Sequence, residues 1–232
     1  MPPVDENAEA LRMHWQAVDF RCAVEQGNME KVENMLNPKE GVPFPATYKM
    51  TDGSSWTILM IAADAGQRDM VERFTKAPRM PKVEEKDPHG FQALMLGALK
   101  GHRDICEILI EKKAEVNAQD NDGETSLMKA AAMGHTEVVR LLLEKGADPD
   151  SEDCNSMSAI KKACSAGHVD CLKELLPKVK DDARQLKHCL LFGRLNGHED
   201  VIEEMTKTLE PKGDDGDAPK LGDAEGAVST GK

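Results

Sequence analysis

Hydrophobic residues recur along most of this chain at intervals of three and four positions, the spacing of one face of an α-helix. Stretches with this spacing come in pairs, and a Gly followed by a polar residue separates the members of each pair. The clearest separators are Gly101-His102, Gly134-His135 and Gly167-His168, which recur every 33 residues. A fixed period of this length indicates a repeat protein whose unit is helix, Gly turn, helix and exposed loop.

Weaker copies of the unit flank these three, at Gly27-Asn28, Gly66-Gln67 and Gly197-His198. The pattern therefore predicts six helix pairs between residues 10 and 209. Their approximate ranges are 10–40, 50–82, 87–119, 120–152, 153–182 and 183–209. An N-terminal extension (1–9) precedes them, and an acidic tail (210–232) follows. The tail is rich in Gly, Asp and Lys and has few apolar residues, so we expect it to be disordered.

The unit from Asp120 to Asp148 carries the most specific pattern. It contains Asp-Gly-Glu-Thr-Ser-Leu-Met-Lys-Ala-Ala-Ala-Met-Gly-His, followed by Val-Val-Arg-Leu-Leu-Leu-Glu-Lys-Gly-Ala-Asp. This unit closely resembles an ankyrin repeat, and the resemblance extends over about residues 10–209. It implies an all-α solenoid of stacked helix–turn–helix pairs with short hairpin-like loops. It also implies a non-catalytic protein–protein interaction module, an adaptor or a regulatory subunit.

The chain departs from the family pattern at several positions. Met60, Met95 and Met128 stand where the family usually has the His of its Thr-Pro-Leu-His turn. We expect an apolar contact there in place of a polar one, because Met cannot donate a hydrogen bond. Arg194 replaces a small Ala of the helix contact, which predicts that it caps the stack. Polar Lys31 and Asn34 predict the same role for the first unit.

Composition supports this picture and excludes several classes of protein. Apolar residues make up 40% of the chain and aromatic residues only 3%, so the core must consist of Leu, Ala, Val and Met. The formal net charge of −12 argues against a nucleic-acid interface, which needs clustered Lys and Arg. The sequence has no apolar run long enough to cross a membrane and lacks the features of a secretory signal. Six scattered cysteines favour a reducing compartment. We therefore expect a cytoplasmic monomer, with the nucleus as an alternative location.

The repeated histidines are the first candidates for a chemical site. They are His102, His135, His168 and His198. Equivalent residues on stacked helices lie about 8–10 Å apart, whereas zinc ligands lie about 2 Å from the metal. Neighbouring histidines therefore cannot share a metal ion, and we interpret them as turn residues bonded to backbone. No catalytic motif appears, and we predict neither a metal nor a cofactor.

The cysteines offer a second chemistry. Cys164 and Cys171 belong to the two helices of one repeat, where they occupy the positions of small or branched apolar residues. Core packing is the favoured interpretation, although the two thiols could lie close together. Cys154 falls in a predicted exposed loop, where a reactive thiol remains an alternative.

The resemblance also implies a binding surface. In ankyrin proteins the loop tips and the first helix of each pair form a concave face that binds partners. Transferred to this sequence, the candidate residues are Phe91, Leu99, Lys100, Asp122, Glu124, Met133, Asn155 and Met157, with Asp150 and Asp153 at the loop tips. Two adjacent tips contain acidic residues and no Lys or Arg. They predict an acidic rim that selects a basic or mixed basic and apolar segment, although charged tips can also serve only to solvate loops.

The long loop between Leu36 and Leu59 interrupts the repeat. It contains Phe44 and Tyr48 and ends beside Trp56, so three of the eight aromatic residues lie in or near one finger. Long insertions are often functional, and aromatic residues dominate binding hot spots. The finger is therefore a second candidate contact site. The alternative is that its rings only seal the core of the first unit.

Two other functions remain open at this stage. The acidity permits a reader or chaperone of basic tails such as those of histones. A methyl-lysine cage needs several converging aromatic rings, however, and only Phe91 belongs to the predicted face. The second alternative is a redox sensor that uses Cys154.

Overall fold

The computed structural model describes residues 18–36, 47–49, 55–76, 82–179 and 183–209. The predicted extension 1–9, the predicted tail 210–232 and the predicted contact residue Phe44 lie outside these residues. The helices are α1 (18–25), α2 (Met29–Leu36), α3 (Ile58–Asp64), α4 (Arg68–Lys76), α5 (Ala93–Lys100), α6 (Arg103–Glu111), α7 (Ser126–Met133), α8 (Thr136–Glu144), α9 (Ala159–Ala166), α10 (Val169–Leu175), α11 (Ala183–Asn196) and α12 (Glu199–Leu209).

From α3 to α12 these helices form five pairs whose members pack against each other, and α1 and α2 precede them. From α3 onward, the first helices of successive pairs pack in one row and the second helices in another. We call these the inner row (α3, α5, α7, α9 and α11) and the outer row (α4, α6, α8, α10 and α12). The all-α repeat architecture expected from the sequence is thus confirmed. The exact repeat boundaries stay a prediction.

The inner helices begin and end where their sequences signal it. Thr57 and Thr125 cap α3 and α7 by accepting hydrogen bonds from the backbone N–H groups of Met60 and Met128, at 3.2 and 3.3 Å. Gly134 ends α7 in the left-handed conformation, with φ of 77°. Met60 is not purely apolar in its turn, because its sulfur lies 3.5 Å from the Thr57 N–H and accepts a weak hydrogen bond.

The core runs between the two rows and is built from small and aliphatic side chains. Ala63, Ala98 and Ala131 are completely buried at the contacts between inner helices, and this allows their backbones to approach closely. Leu109 and Leu142 are equally buried on the outer row. The scarcity of aromatic residues follows from these thin, closely stacked layers.

The described residues of the finger include a small antiparallel sheet. Strand β1 (Thr47–Lys49) pairs with β2 (Ser55–Thr57), and Tyr48 lies directly opposite Trp56. Trp56 is half-buried and packs against the core. Its Nε1 donates a hydrogen bond of 3.0 Å to Asp87 Oδ2 in the next repeat. The packing of Trp56 against the core favours the alternative that its ring serves packing, although its hydrogen bond joins it to the following repeat.

Candidate functional site

The loop tips are organised around three aspartates spaced 33 residues apart. Asp87, Asp120 and Asp153 are all buried, with at most 8% of each residue exposed. In each of them Oδ1 accepts two backbone hydrogen bonds, from the residues two and four positions later. These bonds close the turn, so each aspartate holds its loop together.

The second carboxylate oxygen of each aspartate meets a different partner. Asp87 meets the Trp56 indole, while Lys129 Nζ lies 2.7 Å from Asp120 Oδ2 and Lys162 Nζ lies 2.8 Å from Asp153 Oδ2. The two lysines come from the inner helices α7 and α9. The charges of Asp120 and Asp153 are therefore compensated inside the protein.

Glu124 joins two repeats through the same lysines. Its Oε2 accepts a hydrogen bond of 2.6 Å from Lys129, and its Oε1 accepts one from Lys162 of the next repeat. Nearby, Lys161 donates to Glu152 Oε1 at 2.6 Å and to the Ser156 carbonyl at 2.8 Å. These contacts form a charge ladder along the loop side of α7 and α9.

The charge ladder reduces the free negative charge of the predicted acidic rim. The tips contain no Lys or Arg in sequence, but lysines from α7 and α9 reach them in space. Asp153 lies inside its turn, and Glu124 is engaged by two ammonium groups. Asp122 and Asn155 are exposed, and Asp150 is half-buried with its N–H bonded to Asp148. Sequence reasoning missed the lysines because only the helix packing brings them to the tips.

The ladder also shifts the titration of its members. Burial alone would raise the pKa of Asp153, but hydrogen bonds from Lys162 and from the N–H groups of Met157 and Asn155 hold that pKa below its usual value. The pKa of Glu124 is likewise lowered, because Lys129 and Lys162 outweigh its desolvation. The same contacts raise the pKa of Lys162 despite its desolvation.

We expect the ladder to make folding acid-sensitive. Carboxylates with lowered pKa values stabilise the fold above their unfolded pKa values of about 4, and this contribution is lost as pH falls through the folded values. The raised pKa of Lys162 adds stability below about pH 10.4, which is lost as pH rises through its folded value. Urea unfolding from neutral to acidic pH should therefore show a smaller acid-induced loss in Lys162→Met than in the wild type. An equal loss in both proteins would contradict the expectation, and Lys173→Met, in an exposed pair with Asp170, is the control.

The repeated histidines behave as expected from the sequence. The Nε2 atom of His135 lies 3.0 Å from the Leu99 carbonyl of the preceding repeat. His102, His168 and His198 make the same contact with Asp64, Ala132 and Ser165, at 3.3, 3.1 and 3.0 Å. Their interpretation as backbone-bonded turn residues is therefore confirmed. Each one ties its repeat to the previous one.

The two cysteines that the sequence assigned to core packing, on α9 and α10, lie in the core as expected. Cys164 and Cys171 are completely buried. The thiol of Cys164 contacts Cys189 of the next repeat instead of Cys171, and the hydrogen bond with Cys189 and burial raise its pKa. The Sγ atom of Cys171 lies within hydrogen-bond distance of Thr136 Oγ1, at 3.4 Å. Burial raises the pKa of Cys106 to about 12, whereas Cys154 is exposed in its loop.

A strip of exposed and half-buried side chains follows the ends of α5, α7, α9 and α11, at the two positions before the turn Gly of each helix. We call it the inner-face strip; it comprises Leu99, Lys100, Ala132, Met133, Ser165, Ala166, Leu195 and Asn196. Met133 is 53% exposed, and Leu99 is half-buried. The Nζ atom of Lys100 lies 3.6 Å from Oδ1 of Asp64, with which it forms an ion pair. The sequence analysis missed Leu195, although its place two residues before Gly197 could have identified it.

The remaining predicted site residues lie at the loop side of this strip. Met157 is half-buried at its tip. Phe91 is also half-buried, and Lys129 Nζ lies 4.1 Å from the centroid of its ring. That ammonium already covers one face of the Phe91 ring, which disfavours a methyl-lysine cage. Tyr48 lies in β1, opposite Trp56, and its side chain is outside the described residues.

The part of the chain that the structure describes contains no group of three or more His, Cys, Asp or Glu side chains that could hold a metal ion. No helix among those residues is long and apolar enough to cross a membrane.

The fold and the strip define a class of protein, a helical repeat solenoid with an extended, continuous surface. The comparisons with known proteins agree. The family model for ankyrin repeats matches residues 20–120 and 113–185 with three copies. The chain belongs to the ankyrin repeat family, whose repeats mediate protein–protein interactions and are typically non-enzymatic.

A curated relative supports the same assignment. An ankyrin repeat-containing protein of Arabidopsis thaliana is 28% identical over 98 residues. The aligned stretch covers 42% of this chain and 19% of that protein. The chain thus matches only about a fifth of its relative's length.

Proposed function

We propose that this protein is a non-catalytic adaptor or regulatory subunit that holds a partner against the inner-face strip as a concave surface. The observation that carries the proposal is the exposure of Met133, at 53%, in the middle of that strip. Leu99 and Ala166 continue the apolar character on either side. An exposed apolar side chain within a polar border is typical of an interaction site.

The charges beside the strip favour a partner segment with basic and apolar side chains. Asp122 is exposed at the tip next to α7, and the Cys154 N–H donates a hydrogen bond of 2.9 Å to the Asp122 carbonyl. This bond fixes the two neighbouring tips relative to each other. Because Asp153 and Glu124 are compensated internally, the attraction for a basic segment depends on exposed carboxylates such as Asp122. Such charges mainly set specificity and association rate.

The proposal is tested by altering the strip without altering the fold. Met133→Ser and Asp122→Lys both replace exposed residues, so circular dichroism and urea unfolding should match the wild type. Affinity purification with quantitative mass spectrometry should show that cellular partners of the wild type are lost from both variants. Asp153→Lys is unsuitable, because this residue closes its turn from the inside.

A matched variant on the outer row makes the result specific. Glu144→Lys reverses an exposed charge at the end of α8, away from the strip, and should recover the same partners as the wild type. Equal recovery by Met133→Ser, Asp122→Lys and wild type would refute the proposed surface.

A further inference from the structure

The last inner helix, α11, exposes a face that every other inner helix of the described chain covers. In the other inner helices, the residue six positions before the turn Gly is at most 7% exposed. These residues are Met60, Met95, Met128 and Lys161. The equivalent residue of α11, Leu191, is 52% exposed. The residue three positions further along is completely buried in the other inner helices, where it is Ala63, Ala98, Ala131 or Cys164. In α11 this residue is Arg194, which is exposed.

The physical reason is the position of α11 in the stack. In the described residues α11 packs mainly against α9 and α12, whereas α5, α7 and α9 each have an inner helix on both sides. The face that normally receives the next repeat is therefore open. Its shape is that of a helix-packing surface, because the other inner helices use the same positions to hold their neighbours.

The chemistry of this face differs from the rest of the protein. Lys187, Leu191 and Leu195 lie four residues apart and share one stripe of the helix, with His188 and Arg194 beside them. All five are exposed, and Leu195 reaches 71%. Helix α11 contains no Asp or Glu, although the whole chain has 42 acidic residues and a net charge of −12. Within the described ranges, neither Lys187 nor Arg194 forms an ion pair.

We propose that this end face of α11 docks an acidic amphipathic helix of another protein, stacked where a further repeat would lie. Its apolar side chains cover Leu191 and Leu195, and its carboxylates meet Lys187 and Arg194. A second copy of this chain, stacked by twofold symmetry, would bring two copies of this basic face together and is disfavoured by like charge. The chain's own residues 210–232 contain only Leu221 and Val228 as large aliphatic residues, fewer than the three to four in every two turns that form the apolar stripe of an amphipathic helix. This site shares Leu195 with the inner-face strip, but Lys187, Leu191 and Arg194 lie outside that strip, and its charge preference is the opposite one.

The probe is a fluorescent peptide of about 18 residues, or five helical turns, with Leu along one face and Glu elsewhere. A second peptide has Lys in place of every Glu. The full-length protein should bind the acidic peptide saturably, more weakly as salt rises, and should bind the basic peptide far less. Arg194→Glu and Leu191→Ser should each weaken binding of the acidic peptide by about tenfold or more.

Two control variants separate this site from the proposed function. Met133→Ser alters the inner-face strip, and Lys145→Glu reverses an exposed charge next to α8; both should bind the acidic peptide as the wild type does. The proposal is overturned if binding is absent, if the two peptides bind equally, or if Arg194→Glu retains full affinity. Competition by a synthetic peptide of residues 210–232 would assign the face to this chain's own tail. A dimer in sedimentation velocity that Arg194→Glu dissociates would assign it to a second copy, and either result overturns the proposal.

Discussion

Replacing Lys129 by Met should lower the free energy of unfolding by about 3–5 kcal/mol, the cost of leaving a buried charge without its partner. The Lys129 side chain is 4% exposed and that of Asp120 is 1% exposed. In the described part of the chain, Asp120 Oδ2 has no hydrogen-bond donor in good geometry, so the ammonium 2.7 Å away compensates its charge. The substitution also removes the contact between Lys129 and the Phe91 ring. Urea unfolding followed by circular dichroism measures the loss.

Two further variants identify the cause of this loss. Lys129→Met combined with Asp120→Asn should be more stable than Lys129→Met alone, because Asn keeps the Oδ1 acceptor of the turn and removes the buried charge. Lys173→Met breaks an exposed pair with Asp170 and should cost no more than about 1 kcal/mol. If Lys129→Met costs no more than Lys173→Met, the charge ladder does not stabilise the loops.

Replacing Gly134 by Ala should destabilise the fold more than the same change at Gly146. Both glycines adopt the left-handed conformation, with φ of 77° and 87°, so both changes carry a conformational cost of about 1–2 kcal/mol. A Cβ at Gly134 would lie 2.6 Å from His168 Nδ1, whereas a Cβ at Gly146 has no atom within 4 Å. The contact at Gly134 should add about 1–3 kcal/mol.

The His168 ring is fixed by its contact with the Ala132 carbonyl, at 3.1 Å. It cannot move away from a new methyl group without losing that contact between repeats. A double-mutant cycle with His168→Ala tests this reasoning, since His168→Ala should cost less in Gly134→Ala than in the wild type. Equal losses at Gly134 and Gly146, or a cycle without coupling, would show that the Gly–His packing does not link the repeats.

The charge ladder and the histidines form contacts between neighbouring repeats. These contacts determine how rigidly the repeats hold the inner-face strip. Glu124 and Lys162 connect α7 to α9 on the loop side, while His168 makes its contact at the turn side of the same helices. The histidine contacts end on residues of the strip itself, at the carbonyls of Leu99, Ala132 and Ser165. A partner would therefore meet a preorganised surface around Met133, which reduces the cost of ordering on binding.

The structure was most predictable where the sequence pattern is periodic. The 33-residue spacing of Gly-His, the three- and four-residue apolar spacing and the Ala positions identified the helix pairs. They also indicated that the histidines bond to backbone. Each of these signals is local and is repeated several times, so the same physical requirement can be read in several copies. The capping role of Arg194 is consistent with its exposure on a helix that has a neighbour on one side.

The candidate site was less predictable, because side chains that are distant in sequence decide it. The acidic character of the tip around Asp153 follows from sequence, but only packing brings Lys162 against it. In the same way, Cys164 meets Cys189 of the following repeat and Trp56 reaches Asp87. None of these pairs follows from residue types alone.

The sequence by itself therefore determined the family, the helix pairs and the turns, because short-range periodicity and turn chemistry specify them. The tertiary structure decided which charges are compensated, which apolar residues are covered and which face of α11 stays open. These properties depend on how neighbouring repeats stack. A lysine or leucine has the same local pattern whether or not another helix lies against it, so exposure and charge pairing emerge only when the repeats are assembled.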